Sequence, residues 1–137
     1  MHTPDSADRY RTRYVQRLPL RQRMRQGDTL LGSFVFLPHP SVIEILAEAG
    51  LDFFILADEH SPKSWETMEN MVRAAEVYGL PVVVRVHENT PQTILHALEI
   101  GAVGVAVPFV ENADDVRRAA LAARYAPAGL RGTCTQT

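Results

Sequence analysis

Asp58-Glu59-His60 follows the mostly apolar stretch FFILA and precedes Ser61-Pro62, so two carboxylates and an imidazole end what reads as a buried strand. Imidazole titrates near neutrality, so His60 can take or give a proton, and a neighbouring carboxylate can orient it. If Asp58 and Glu59 still belong to the strand, their side chains alternate in direction, and only one should face a given ligand. Either can meet a divalent cation, directly or through water, because hard cations take oxygen ligands. The bland alternatives are a helix-entry histidine half in water and a solvated acidic loop.

Arg85 is the second notable group, placed after Val82-Val83-Val84 and before Val86. A guanidinium at the rim of a buried sheet suits a carboxylate or a developing enolate, since its planar fork binds oxyanions bidentately. The competing reading is an ion pair with Glu59, Glu88 or Glu99. Glu99 itself can reach back to His60 or face solvent. Lys63, the only lysine in the chain, raises Schiff-base chemistry with a ketone. Such a lysine is usually desolvated, and Lys63 reads as lying in a polar turn.

The elements that must position these groups are legible as alternating patterns. Apolar runs at 30–37, 51–56, 81–86 and 103–107 predict four strands, each followed by a helical pattern. Pro40 to Ala49 carries Val42, Ile43, Leu46 and Ala49 at helical spacing, and Trp65, Met68, Val72 and Ala75 mark the next helix. Thr90-Pro91 supplies an N-cap and a first-turn proline, and Asn112 caps a helix with Asp114 and Asp115 in its first turn. A short helix at 18–26 precedes them, closed by Gly27.

Continuous β-branched strands alternating with amphipathic helices imply a parallel sheet covered by helices. Two architectures fit: an open doubly wound sheet, and half of a (β/α)8 barrel, which would leave two strand edges unpaired. In both, ligands bind at the carboxyl ends of the strands. The rim residues are then Asp58, Glu59 and His60; Arg85, His87 and Glu88; and Pro108, Glu111 and Asn112. The first strand offers Pro38, His39 and Pro40.

Composition narrows the class. The 137 residues suit one domain, with 46% hydrophobic and 22% charged residues and a net charge of -2. Seven of the fourteen basic residues are arginines between Arg9 and Arg25, but no nucleic-acid motif accompanies them. Residues 1–17 read as an Arg-rich arm and 18–137 as the folded domain. One cysteine, Cys134, excludes an internal disulfide. No apolar run approaches the ~20 residues needed to cross a bilayer, and no secretory signal is visible. The expectation is a cytoplasmic protein with no nucleic-acid or membrane partner. No capping element follows the fourth helix, which predicts a truncated domain.

The stretches LLGSFVFLPHPSVIEILAEAGLDFFILADEH, VVVRVHENTPQTILHALEIGAVGVAVPFV and ARYAPAGLRG resemble the HpcH/HpaI aldolase (citrate lyase-like) family. The resemblance implies the N-terminal half of a TIM (β/α)8 barrel of the phosphoenolpyruvate/pyruvate type. It also implies a class II, metal-dependent aldolase that cleaves a 4-hydroxy-2-oxo acid to pyruvate and an aldehyde, or catalyses the reverse. His60 would be the acid/base residue, Arg85 would hold the pyruvyl oxygens and stabilise the enolate, and Glu99 would support the histidine. Glu59, Asp58 and Pro108 would belong to the shell around the substrate or the metal water. The cofactor implied is a divalent cation, Mg2+, Mn2+ or Co2+, with its direct ligands in the missing half.

Two departures accompany the resemblance. The family pattern D-x-E-H has aspartate where this chain has Ala57, and Asp58 lies one residue out of register, which sends a strand side chain to the opposite face. Glu99 stands where aspartate is common. The implied partners are pyruvate, an aldehyde, and either further copies of the chain or a complementing C-terminal half. The rival expectation is a non-catalytic half-barrel acting as a binding or assembly module.

Overall fold

The computed structural model of the protein describes residues 19–61 and 63–134. The Arg-rich arm at 1–17 lies outside the described residues. Helix α1 (Leu20–Gln26) precedes β1 (Gly32–Val35), α2 (Pro40–Glu48), β2 (Phe53–Ala57), α3 (Trp65–Val77), β3 (Val82–Arg85), α4 (Pro91–Glu99), β4 (Gly104–Ala106) and α5 (Ala113–Ala122). The strands form one parallel sheet in the order β1-β2-β3-β4, with Ala57 opposite Arg85 as the last register pair of β2 and β3.

Alternation sorts each strand into two faces. Val35, Phe54, Leu56, Val82 and Val84 are buried against the helices, where they meet Ile43, Met68, Met71, Val72 and Ala97. The other face carries Phe34, Phe53, Ile55 and Val83, and is less covered: Phe34 is 45% exposed and stacks on Phe36. Gly32 belongs to that face for a steric reason. A Cβ there would stand 2.3 Å from the ring of Phe53, so only glycine lets the ring lie across β1.

Each helix that follows a strand begins at a side-chain cap on the rim where the strands end. His39 accepts from the Ser41 N–H, Ser64 from that of Thr67, Thr90 from that of Thr93, and Asn112 from those of Asp114 and Asp115. These caps satisfy N–H groups that have no partner within the helix, typically worth ~1 kcal/mol each. The opposite end is tied down by α1, where Arg23 pairs with Asp52 at 2.8 Å and Asp28 at 3.2 Å. No helix among the described residues is long and apolar enough to cross a membrane.

After α5 the chain folds back on itself. The Ala126–Pro127 bond is cis, and the N–H groups of Leu130 and Arg131 donate to the carbonyls of Leu121 and Arg124. Gly129 permits this approach, since a Cβ would fall 2.3 Å from the Arg124 carbonyl oxygen. Arg131 then lies over the Tyr125 ring, 4.6 Å from its centroid, and reaches Glu99 at 2.7 Å. The RYxPxGxRG stretch is thus a clasp between α5 and the end of α4.

Candidate active site

The residues at the carboxyl ends of β2 and β3 form two adjoining clusters. In the first, the Arg85 guanidinium lies 3.0 Å from Glu59 Oε2, and His60 Nε2 lies 3.5 Å from the same oxygen. Glu59 is only 14% exposed. Arg85 makes an ion pair with Glu59 and His60 stands beside it, while buried Oε2 has no hydrogen-bond partner among the described residues. A buried carboxylate oxygen in that condition is an acceptor waiting for a donor. His60 itself is largely exposed.

In the second cluster, Asp58 Oδ2 pairs with His87 Nδ1, and the Asp58 N–H donates to the Arg85 carbonyl at 2.9 Å. His87 Nε2 stands 3.7 Å from Glu88 Oε1, which accepts from the hydroxyls of Thr90 and Thr93. Those two hydroxyls hold the Glu88 carboxyl below its usual range, against an opposing desolvation and with the smallest contribution from the neighbouring His87.

Asp58 and Glu59 therefore serve different partners, both from the turn that follows β2. Arg85 pairs with Glu59, one of the three partners its position allowed. Pro108 is buried at the rim beyond β4, followed by Phe109 in the left-handed region at φ 54°. Glu99 ends α4, a nine-residue helix that returns the chain from the rim toward the start of β4, and it pairs there with Arg131. A helix of that length is about 13 Å long. Glu59 is the carboxylate beside His60, while Glu99 is engaged by Arg131.

Lys63 departs from expectation. Instead of sitting in a polar turn it is only 9% exposed, donating from Nζ to the Ala57 carbonyl at 3.1 Å. Burial lowers its pKa, partly offset by the charge of Asp58. His87 is visible in the sequence only as a rim residue. The signal that could have singled it out is the out-of-register Asp58, a carboxylate that needs a donor from the adjacent strand. A cavity of about 460 Å³ lies at the other end of the sheet, lined by Leu20, Met24, Val83 and Val103 among others, and includes none of these groups.

A parallel β/α sheet with carboxylate, imidazole and guanidinium groups gathered at its carboxyl rim defines the class: an α/β protein with a polar site at the carboxyl ends of its strands. Within that class, the chain belongs to the HpcH/HpaI aldolase/citrate lyase family, whose model matches residues 30–137. It is 36% identical over 109 residues to the 4-hydroxy-2-oxo-heptane-1,7-dioate aldolase of Salmonella paratyphi B, a match covering 80% of this chain and 41% of the relative. The HpcH/HpaI aldolase of Desulfitobacterium hafniense DCB-2 superposes with a TM-score of 0.81 at 30% identity, covering 88% of this chain and 47% of that one. The citrate synthase SbnG superposes with a TM-score of 0.80 at 35% identity, covering 85% and 48%. The chain thus spans less than half the length of these relatives, and its four β/α units are half of a β/α barrel.

Proposed function

We propose that this chain supplies half of the catalytic site of a class II aldolase, which cleaves a 4-hydroxy-2-oxo acid reversibly to pyruvate and an aldehyde. The observation that carries this reading is the Arg85–Glu59–His60 cluster at the carboxyl rim, with the Glu59 oxygen buried and lacking a hydrogen-bond donor. Arg85 holds the carboxylate and 2-oxo oxygens of the pyruvyl part and balances enolate charge as the C3–C4 bond breaks. His60, exposed beside Glu59, takes the proton of the 4-hydroxyl as the aldehyde leaves, and C3 of the enolate then takes up a proton to give pyruvate; the addition direction reverses both transfers. Glu59 orients the Arg85 and His60 side chains, and Pro108 helps to wall the rim.

A divalent cation, Mg2+, Mn2+ or Co2+, fits this donor set as an outer-shell neighbour. No three His, Cys, Asp or Glu side chains gather into a metal site among the described residues, and the reading assigns its direct ligands to a complementing half. Glu59 Oε2 is the acceptor that a hydrated cation would satisfy. When bound, the cation withdraws electron density from the 2-oxo group.

The test is pyruvate release from a 4-hydroxy-2-oxo acid, measured with and without each cation, for the chain alone and together with a C-terminal half from a relative. Cation-dependent release in the combined sample supports the reading. No release in any sample refutes it. The exposed, stacked Phe34 and Phe36 favour a second reading, a half-barrel whose role is assembly with a complementary half or another copy. A well-folded monomer that captures no C-terminal half on sizing would refute that one.

A further inference from the structure

Asp58 and His87 take no part in the chemistry assigned above, yet they are joined beside it. The ladder between β2 and β3 ends at Ala57 and Arg85, so ladder bonds do not fix the segment that carries Glu59 and His60. Two contacts continue the coupling past that point: the Asp58 N–H on the Arg85 carbonyl, and Asp58 Oδ2 on His87 Nδ1. Asp58 immediately precedes Glu59, and His87 lies two residues after Arg85. Each member of the pair is therefore anchored next to a member of the first cluster. The Asp58 side chain is 11% exposed, so its carboxylate requires the donor that His87 provides. Beyond His87, Glu88 is held by Thr90 and Thr93, which ties the arrangement to the first turn of α4.

We propose that Asp58 and His87 are a positioning pair, which holds the rim segment after β2 so that Glu59 and His60 stay in register with Arg85. The functional half of this proposal rests on the aldolase reading of the site. Arg85 is anchored within β3, whereas His60 rides on the segment that the pair fixes. Loss of the pair therefore displaces the proton carrier more than the pyruvyl clamp. A carboxylate accepting from Nδ1–H also sets the tautomer, leaving Nε2 unprotonated in neutral His87.

The test uses the 137-residue chain labelled with 15N, and its imidazole and guanidinium resonances. His87 is expected in the Nδ1–H form, and Asp58→Ala is expected to abolish that preference. His87→Leu and Asp58→Ala are expected to shift the His60 ring and Arg85 Nε signals, while His87→Asn, which retains an N–H donor, restores them. In the enzyme completed by a C-terminal half, His87→Leu should lower kcat roughly 10- to 100-fold, the range typical of residues that orient an active group. The pyruvate KM should change less, and His87→Asn should recover most of the rate. An Nε2–H tautomer in the parent chain overturns the proposal, and so do unmoved His60 signals in His87→Leu. If the completed parent enzyme shows no turnover, the aldolase reading fails, but the resonances still decide whether the pair positions His60. Should His87→Leu not fold, the parent tautomer and the His87→Asn signals decide the same question.

Discussion

Replacing Arg85 by methionine should reveal how tightly the first cluster is coupled. The guanidinium and Glu59 Oε2 are 3.0 Å apart, with side chains 35% and 14% exposed. Two unit charges at that distance attract by ~5.5 kcal/mol at an effective dielectric of ~20, but by only ~1.4 kcal/mol in bulk water. Arg85 is open enough for solvent to screen the pair substantially, and buried Glu59 limits that screening. The expected coupling is therefore ~1–3 kcal/mol. It is measured by urea unfolding of the parent, Arg85→Met, Glu59→Gln and the double variant, followed by circular dichroism. Arg85→Met should be the most destabilising single change, because it strands a buried carboxylate, and Glu59→Gln should relieve part of the loss. Additivity within ~0.5 kcal/mol would refute the reasoning, since independent sites behave that way.

Two further outcomes follow from the rest of the fold. Gly129→Ala should destabilise the protein by ~1–3 kcal/mol, as overpacking does, because the new methyl meets the Arg124 and Leu121 carbonyls; an unchanged Tm would contradict this. Lys63 has a folded-state pKa below its ordinary 10.5, so between those two values the unfolded chain holds a proton that the folded chain lacks. Stability should rise with pH through that window. The gain is complete above 10.5 and absent below the folded value, and Lys63→Met should lack it. Parallel stability–pH curves for the two proteins would sink the assignment.

Much of the fold is legible in the sequence because it follows from local chemistry. Thr90-Pro91 and Asn112 announce helix starts, and the valine-rich run ending in Arg85 announces a strand with a polar end. The half-barrel reading, by contrast, comes from resemblance, since periodicity alone allows an open sheet as well. Arg85 beside Glu59 is one of three pairings that the sequence permits, and only the register of β2 against β3 selects it. The same register brings His87 to Asp58, a contact between residues 29 apart that neither local segment signals.

Lys63 is misleading in the sequence because burial belongs to the packed structure: a lysine between Pro62 and Ser64 looks solvated until its amine is found on the Ala57 carbonyl. The partner of Glu99 is likewise hidden from the sequence: α4 begins at the rim and ends at Glu99, and the clasp formed by Gly129 and Arg131 meets it at that end of the helix.

The central claim is that this rim stabilises a pyruvate enolate, with Arg85 as the clamp. Exchange of the pyruvate methyl hydrogens in D2O reads that step without requiring the aldehyde to be known. In the chain completed by a C-terminal half, exchange should depend on a divalent cation, and Arg85→Met should slow it by ~100-fold or more, the loss typical when one oxyanion-stabilising group is removed. Cation-independent exchange accompanied by a borohydride-trapped adduct on Lys63 would contradict the account, as would exchange that Arg85→Met leaves unchanged.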